Sequence, residues 1–135
     1  MTFKTPIQIR FHEADPAGIA FFANAYALAH SAYEKFVTEA LGFKWAEWFE
    51  NETWGVPIRH SECEHLVPMK PGRTYDVVIK VEKLGESSLT LKYAFQEAGR
   101  DHAIVTLVHT FIDVKALKKT TVPDLVRDRL KPYLT

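Results

Sequence analysis

This sequence has little cysteine, no long apolar run and no excess of charge of either sign. Its 135 residues include one cysteine, Cys63, which excludes an intramolecular disulfide and suggests a reducing, cytoplasmic setting. Nowhere do about 18 apolar residues follow one another, so no membrane-spanning helix is expected, and the first residues lack the pattern of a signal peptide. Lys plus Arg and Asp plus Glu both number 17, which argues against binding nucleic acid or a membrane through a broad basic face.

Motifs of several enzyme classes are absent as well. No Gly-x-Ser-x-Gly occurs, so a serine-hydrolase triad has no support. Neither Gly-x-Gly-x-x-Gly nor a phosphate loop occurs, so no nucleotide cofactor is expected. With 47% hydrophobic residues, the chain has enough apolar side chains for a full core, and we expect a single domain over residues 1–135.

Alternation of apolar and polar residues predicts five β-strands. They are expected within residues 3–11, 56–67, 75–81, 89–95 and 103–114. The last segment is apolar on both parities, which predicts a strand buried on both faces. Turn residues separate the later strands closely, and short connections favour antiparallel neighbours.

One helix is predicted between the first and second strands. Apolar residues recur with helical spacing over residues 23–41, and Gly42 is placed to cap the C-terminal end of this helix. Short helices are also expected near residues 45–49 and after Pro123. The order therefore predicts an α+β fold with a five-stranded, mostly antiparallel sheet against a long central helix.

Asp15 lies in the turn between the first strand and this helix. One interpretation is a structural turn aspartate, because Asp-Pro pairs favour turns and the side chain accepts hydrogen bonds from nearby N–H groups. The other is a catalytic carboxylate beside a helix start, where free N–H groups polarise a carbonyl oxygen. Residue pattern alone leaves both open.

The segment around Asp15 resembles a known family signature. Residues 12–24 read HEADPAGIAFFAN, and this is similar to the signature of the 4-hydroxybenzoyl-CoA thioesterase family of hotdog-fold proteins. The likeness continues through AYE at 32–34, VPIRHS at 56–61, LVPMKPG at 66–72 and LGESSL at 84–89. It covers nearly the whole chain.

The resemblance implies a sheet wrapped around a central helix, a homodimer or homotetramer, and hydrolysis of an acyl-CoA thioester at the subunit interface. It implies that Asp15 is the nucleophile or the general base for water, with the start of the helix, from Gly18 to Phe22, polarising the thioester carbonyl. No resident cofactor is implied, because CoA is part of the substrate.

Three departures from the signature indicate which members of the resembled family are most similar to this chain. Its first acidic position is Glu13 here, and Phe11 and Phe22 stand where some short-chain members carry Tyr and His. The pair Phe21-Phe22 is closer to members that act on aromatic acyl-CoAs, including 1,4-dihydroxy-2-naphthoyl-CoA, and an aromatic pocket suits such a substrate. Two alternatives stay open: a hotdog dehydratase acting on hydroxyacyl thioesters, and an acyl-CoA binding module without turnover.

Further polar residues are candidates for substrate contacts. Glu34 is either a solvated helix residue, paired with a neighbouring Lys or Thr, or a second carboxylate in the pocket. His60, Glu62 and Glu64 share one face of a strand, with Cys63 and His65 on the other. This spacing converges too loosely for a metal site, so none is expected, and His60 is a candidate to line the substrate pocket. The candidates for holding CoA through its phosphates or pantetheine are Lys70, Arg73, Ser87 and Ser88.

Overall fold

The computed structural model describes residues 1–15, 17–18 and 24–135. The strands are β1 (Phe3–Gln8), β2 (Trp54–Gly55), β3 (Ile58–His65), β4 (Thr74–Leu84), β5 (Ser88–Glu97), β6 (Arg100–Thr110), β7 (Ile112–Asp113) and β8 (Lys118–Lys119). The α-helices are α1 (Asn24–Lys35), α2 (Trp45–Phe49) and α3 (Asp124–Leu130). Short 3-10 helices cover Phe11–Glu13 and Lys131–Tyr133.

The five predicted strands form one sheet in the order β1-β4-β5-β6-β3. Every pair of neighbours is antiparallel, which confirms the predicted α+β class and its antiparallel five-stranded sheet. A second, small sheet of β2, β7 and β8 was not predicted, because strands of two residues are too short to show alternation.

The predicted helix is present, but it is not a regular α-helix throughout. After the 12 residues of α1, the backbone continues as a five-residue π-helix over Phe36–Ala40. The wider turn is closed by the N–H of Leu41, which donates to the carbonyl oxygen of Phe36 at 3.0 Å. The helical segment is therefore less uniform than the helix predicted over residues 23–41, because a π-helical turn holds more residues than an α-helical turn.

The sheet packs its inner face against α1. Small residues allow this close contact: Ala25, Ala29 and Ala32 are all buried on the inner side of the helix. Across from them lie the inward residues of β4, β5 and β6, and among these Val77 and Leu91 are fully buried. The hydrophobic core lies in this layer between helix and sheet. None of the helices in the described residues has the length and apolar character needed to cross a membrane.

Two expectations about burial are wrong. β6 is buried on one face only, because Ile104 and Val108 point to the outer face of the sheet and are partly exposed. The prediction of a half-buried strand that continues to residue 11 is also wrong, since Phe11 is 91% exposed. β1 ends at Gln8, and the 3-10 turn that follows breaks the alternation before Phe11.

Gly42 ends the helical segment as predicted. Its φ is +75°, a conformation that glycine adopts without steric conflict. The N–H of Phe43 then donates to the carbonyl oxygen of Val37 at 3.2 Å, and the Arg129 guanidinium donates to the carbonyl oxygen of Leu41 at 3.2 Å. The last carbonyl groups of the helix are thus satisfied by a glycine turn and by a side chain of α3.

Replacing Gly42 tests this cap. An added Cβ has space, since its nearest neighbour would be Arg129 Nη1 at 3.9 Å, so only backbone strain should matter. We expect Gly42→Ala to lower the free energy of unfolding by about 1–2 kcal/mol, measured by urea denaturation. Gly42→Asn is the matched control and should lose less, because Asn tolerates this backbone region. Equal losses in the two variants would contradict the explanation.

Candidate active site

Asp15 follows the 3-10 turn and is half-buried. Its Oδ1 accepts a hydrogen bond from the N–H of Ala17 at 2.9 Å, and its carbonyl oxygen accepts one from the N–H of Gly18 at 2.9 Å. Gly18 has a φ of +76°, which a residue with a side chain rarely adopts. The structural interpretation of Asp15 as a turn residue is therefore observed.

Glu13 ties this turn to the helix. Its Oε1 accepts a hydrogen bond from the N–H of Arg10 at 2.7 Å, and its carbonyl oxygen accepts one from Nδ2 of Asn24 at 2.8 Å. Asn24 is the first residue of α1. The first bond closes the 3-10 turn on itself, and the second joins this turn to the start of the helix, so the first acidic position of the signature has a structural role here.

Phe21 and Phe22 lie outside the described residues. The expected polarisation of a thioester carbonyl by the helix start near Phe22, and the contribution of Phe21 to an aromatic pocket, both stay predictions.

A cavity of about 780 Å³ lies between α1, α2 and the segment from β2 to the start of β3. Aromatic side chains form much of its wall, and several polar groups from α1 and β6 join them. Its lining includes His30, Tyr33, Glu34, Trp48, Phe49, Trp54, Ile58, His109 and Val114. A concave, largely apolar cavity with a few polar groups is typical of a small-molecule site.

Tyr33 and Trp48 form the inner wall of this cavity. The indole N–H of Trp48 donates to the Tyr33 hydroxyl, and the Tyr33 ring meets those of Trp48 and Phe49 edge-on, at 6.3 and 5.6 Å between centroids. Burial raises the pKa of Tyr33 well above its usual value, so the hydroxyl keeps its proton. Trp48 and Phe49 belong to α2, a helix that the sequence predicted. The sequence did not predict that α2 would contact α1.

His109 is the buried polar residue of the cavity, at 1% exposure. It occupies an inward position of β6, its ring stacks on Tyr33 with 5.2 Å between centroids, and its Nδ1 lies 3.0 Å from the carbonyl oxygen of Val56. Burial lowers its pKa, the bond to Val56 acts in the opposite direction, and nearby His30 adds to the lowering. Sequence reasoning missed His109, although a histidine on the inward parity of an apolar strand was the available signal.

Glu34 lines the same cavity from the exposed side of α1. Its Oε1 accepts a hydrogen bond from the indole N–H of Trp45 at 2.6 Å. The carboxylate is thus held by an aromatic residue of α2. A neighbouring Thr pairs with Glu34 as the sequence suggested, but at the backbone, since the Thr38 hydroxyl donates to the Glu34 carbonyl oxygen at 3.0 Å.

His60 is exposed on β3. Its Nε2 lies 3.9 Å from Oε1 of Glu62, and the two side chains share the outer face of the sheet with Glu64, as predicted, since they pair with Val108, Thr106 and Ile104. Such an exposed pair contributes little to stability. In the described part of the chain, no group of three or more His, Cys, Asp or Glu side chains is arranged to hold a metal ion.

The four candidates for binding CoA lie at the two opposite ends of β4. Lys70 and Arg73 precede the strand, and Arg73 Nη1 forms an ion pair with Oε1 of Glu97 at 2.8 Å. Ser87 lies in the turn after the strand, and Ser88 is the first residue of β5. Because β4 has 11 residues, it separates the two pairs by roughly 30 Å within one chain.

Lowered basicity of His109 should appear in the pH dependence of stability. A histidine whose folded pKa is depressed contributes stability that is complete above its unfolded pKa, about 6.5, and is lost as the pH falls through the folded pKa. We expect the free energy of unfolding of the wild type to fall more steeply below about pH 6.5 than that of His109→Asn, measured by urea denaturation at several pH values. Parallel pH profiles would contradict a buried neutral histidine.

Comparison with known proteins places this geometry in a family. Residues 9–130 match the model of the thioesterase-like superfamily. A 1,4-dihydroxy-2-naphthoyl-CoA hydrolase from Nostoc punctiforme is 29% identical over 124 residues, which cover 92% of this chain and 83% of the relative. A second hydrolase of that name, from Thermosynechococcus vestitus, is 29% identical over 86% of this chain and 80% of its own length.

Solved structures show the same fold. A 1,4-dihydroxy-2-naphthoyl-CoA thioesterase from Synechocystis has a TM-score of 0.87 at 18% identity, with 97% of this chain and 96% of that chain covered. A gentisyl-coenzyme A thioesterase has a TM-score of 0.83 at 25% identity, with 96% and 99% covered. The family resemblance predicted from residues 12–24 is confirmed, and this chain belongs to the thioesterase-like superfamily.

Proposed function

We propose that this protein hydrolyses an aromatic acyl-CoA thioester to the free acid and CoA. The observation that carries the proposal is the aromatic cavity beside α1, in a chain whose signature contains Asp15 in a turn two residues after the Glu13 carbonyl that Asn24 of α1 binds. The relatives named above act on dihydroxynaphthoyl-CoA, and one structural neighbour on gentisyl-CoA. Both acyl groups are aromatic, which agrees with the aromatic wall.

Asp15 supplies the chemistry in this proposal. Its carboxylate either attacks the thioester carbonyl carbon directly or takes a proton from an attacking water. The carbonyl oxygen is stabilised by N–H groups between Gly18 and Phe22, where charge develops. When water attacks, the carbon–sulfur bond breaks, the water oxygen becomes part of the free acid, and the proton taken up by Asp15 passes to the CoA thiolate. When Asp15 attacks directly, the same bond breaks and leaves an acyl anhydride on Asp15. A water molecule then hydrolyses this anhydride, which restores Asp15, releases the acid and supplies the proton of the CoA thiol.

A homodimer completes the site. β3 is an edge strand, and seven of its eight residues are exposed. An edge with unpaired backbone groups is suited to pairing with another strand, and pairing with a second copy of β3 would be two-fold symmetric. We infer that the two sheets join along this edge; a tetramer would require further contacts.

Such pairing brings different ends of the two chains together. The Ile58 end of β3 lies beside His109 and the cavity, and the His65 end lies at the sheet end where β1 leads into the Asp15 turn. Antiparallel pairing of β3 with its copy sets the Ile58 end of one chain against the His65 end of the other. Asp15 of one chain is therefore proposed to act on an acyl group held in the partner's cavity.

The same symmetry offers an arrangement for CoA. Lys70 and Arg73 lie at the Asp15 end of the sheet, and Ser87 and Ser88 lie at the cavity end. Across the dimer, one CoA would contact the basic pair of one chain and the serine pair of the other. His60 is on the edge strand itself, and its role at the substrate would be set by the partner chain.

Other features of the proposal rest on the family resemblance. We infer that α1 with its π-helical continuation is the central helix of a hotdog fold. The cytoplasmic location and the absence of a resident cofactor stay predictions.

Asp15→Asn tests the catalytic carboxylate. The amide oxygen can still accept the hydrogen bond from Ala17, so the turn should survive while the nucleophile or base is lost. We expect kcat to fall by about 10²–10⁴-fold with an unchanged melting temperature, measured by thiol release from a panel of aryl and aliphatic acyl-CoAs.

Asp113→Asn is the matched control. Asp113 Oδ1 accepts hydrogen bonds from the N–H groups of Lys115 and Ala116, so it is also a turn aspartate, and its variant should keep wild-type turnover. Near-normal turnover of Asp15→Asn would contradict the proposal. Enoyl product in place of free thiol would indicate the dehydratase, and binding without any turnover would indicate the binding module.

Mixed dimers test the shared site. Val114→Trp should block the cavity, because Val114 lines it and is 37% exposed. Asp15→Asn and Val114→Trp should each be inactive alone, whereas exchanged dimers should recover about a quarter of wild-type activity, since half are mixed and each mixed dimer holds one intact site. Absence of recovery, with mixed dimers confirmed by mass spectrometry, would place both groups in one chain. A monomer by light scattering would exclude the dimer itself.

A further inference from the structure

His109 lines the aromatic cavity and carries a buried hydrogen-bonding atom without a partner among the described residues. Two buried side-chain atoms in the described part of the chain have no hydrogen-bond partner, Tyr93 Oη and His109 Nε2. Tyr93 does not line the cavity, whereas His109 does. Less than 1 Å² of Nε2 is exposed, so solvent does not satisfy it. Buried polar atoms are seldom left in this state.

The protonation of the ring follows from its neighbours. Nδ1 faces the Val56 carbonyl oxygen at 3.0 Å, and a carbonyl oxygen only accepts, so Nδ1 must carry the proton. Burial lowers the pKa of His109, which keeps the ring neutral at pH 7. In that tautomer Nε2 is an acceptor, and it requires a donor such as a hydroxyl.

Aromatic side chains determine what can carry that hydroxyl. The His109 ring lies against Tyr33, and Trp48, Phe49 and Trp54 form the surrounding wall. A flat aromatic ring packs well between such side chains. A charged donor such as an ammonium group would lose its hydration against this wall, and the Glu34 carboxylate of the same lining is exposed and already accepts a hydrogen bond from Trp45.

We propose that His109 Nε2 accepts a hydrogen bond from a phenolic hydroxyl of the acyl group, which makes His109 the residue that selects hydroxyaryl-CoA over unsubstituted aryl-CoA. This rests on the proposed function, because it assigns the cavity to the acyl group. The hydroxyl reaches Nε2 through a side-chain adjustment of the cavity wall, a change that is common on binding. His109 takes no part in bond cleavage, so its loss should alter selectivity more than turnover of an unsubstituted substrate.

Two variants separate the two ring nitrogens. In His109→Asn the amide nitrogen can replace Nδ1 at the Val56 carbonyl oxygen, but nothing reaches the position of Nε2. In His109→Gln the longer side chain places an amide oxygen near that position. Asn therefore removes the proposed acceptor with the least change to the fold, and Gln tests its rescue.

The first measurement is kcat/KM for 1,4-dihydroxy-2-naphthoyl-CoA and 2-naphthoyl-CoA. Because the ratio of the two is compared between variants, the different intrinsic reactivity of the thioesters cancels. We expect His109→Asn to reduce this ratio at least tenfold, as happens when a site loses its partner for a substrate hydroxyl, and His109→Gln to restore part of it. A ratio within twofold of wild type in folded His109→Asn overturns the inference and leaves the thioesterase intact.

The second measurement does not depend on hydrolysis. Trp48 and Trp54 line the cavity, so quenching of tryptophan fluorescence reports binding of the free acids. His109→Asn should weaken binding of 1,4-dihydroxy-2-naphthoate about tenfold more than binding of 2-naphthoate. That result without thiol release would support the role of His109 and overturn the proposed hydrolysis. Equal effects on both acids, or no binding of either to the wild type, would overturn the inference.

If His109→Asn does not fold, wild-type protein decides the question. With ¹⁵N-labelled histidine, the acceptor nitrogen of His109 should shift upfield when it accepts a hydrogen bond from dihydroxynaphthoate. The same nitrogen should stay in place with 2-naphthoate. A nitrogen that responds to neither acid would overturn the inference.

Discussion

The close packing of α1 on the sheet is the constraint on which the other features depend. It requires a helix face of small residues, and Ala25, Ala29 and Ala32 supply it. The start of the helix is then fixed by the bond from Asn24 to Glu13, which places the Asp15 turn. The same buried face of the helix carries Tyr33, one turn after Ala29, and Tyr33 contacts both Trp48 and the ring of His109. The predicted site and the cavity thus share one support.

The sequence predicted the features that depend on local pattern. Alternation identified the five strands, and helical spacing with Gly42 identified the helix and its end. The turn at Asp15 follows from local chemistry, and the structure contains its expected Asx-type hydrogen bond. The signature added the catalytic interpretation of the same residue, which the residue pattern had left open because a turn aspartate and a catalytic aspartate have the same local sequence.

The features that the sequence did not predict depend on contacts between distant segments. His109 faces the cavity because β6 pairs with β3 and β5 in a particular register, and because α2 closes the cavity from a separate part of the chain. The π-helix over Phe36–Ala40 has no recognised signal in an apolar helical pattern. Strand burial was overestimated for β6 because alternation shows which residues are apolar, whereas their exposure depends on what covers the outer face of the sheet.

Separation of the two halves of the site has a physical rationale. Asp15 lies in a half-exposed turn that provides N–H donors. The rings of Tyr33, Trp48 and Phe49 form an apolar wall elsewhere on the same chain. Polar groups that are brought against an apolar wall without partners lower stability, so a small domain gains by keeping the two environments apart. In the dimer proposed above, two copies joined along β3 would bring the polar turn of one chain to the aromatic cavity of the other, and the two-fold symmetry would bring together what each chain keeps apart.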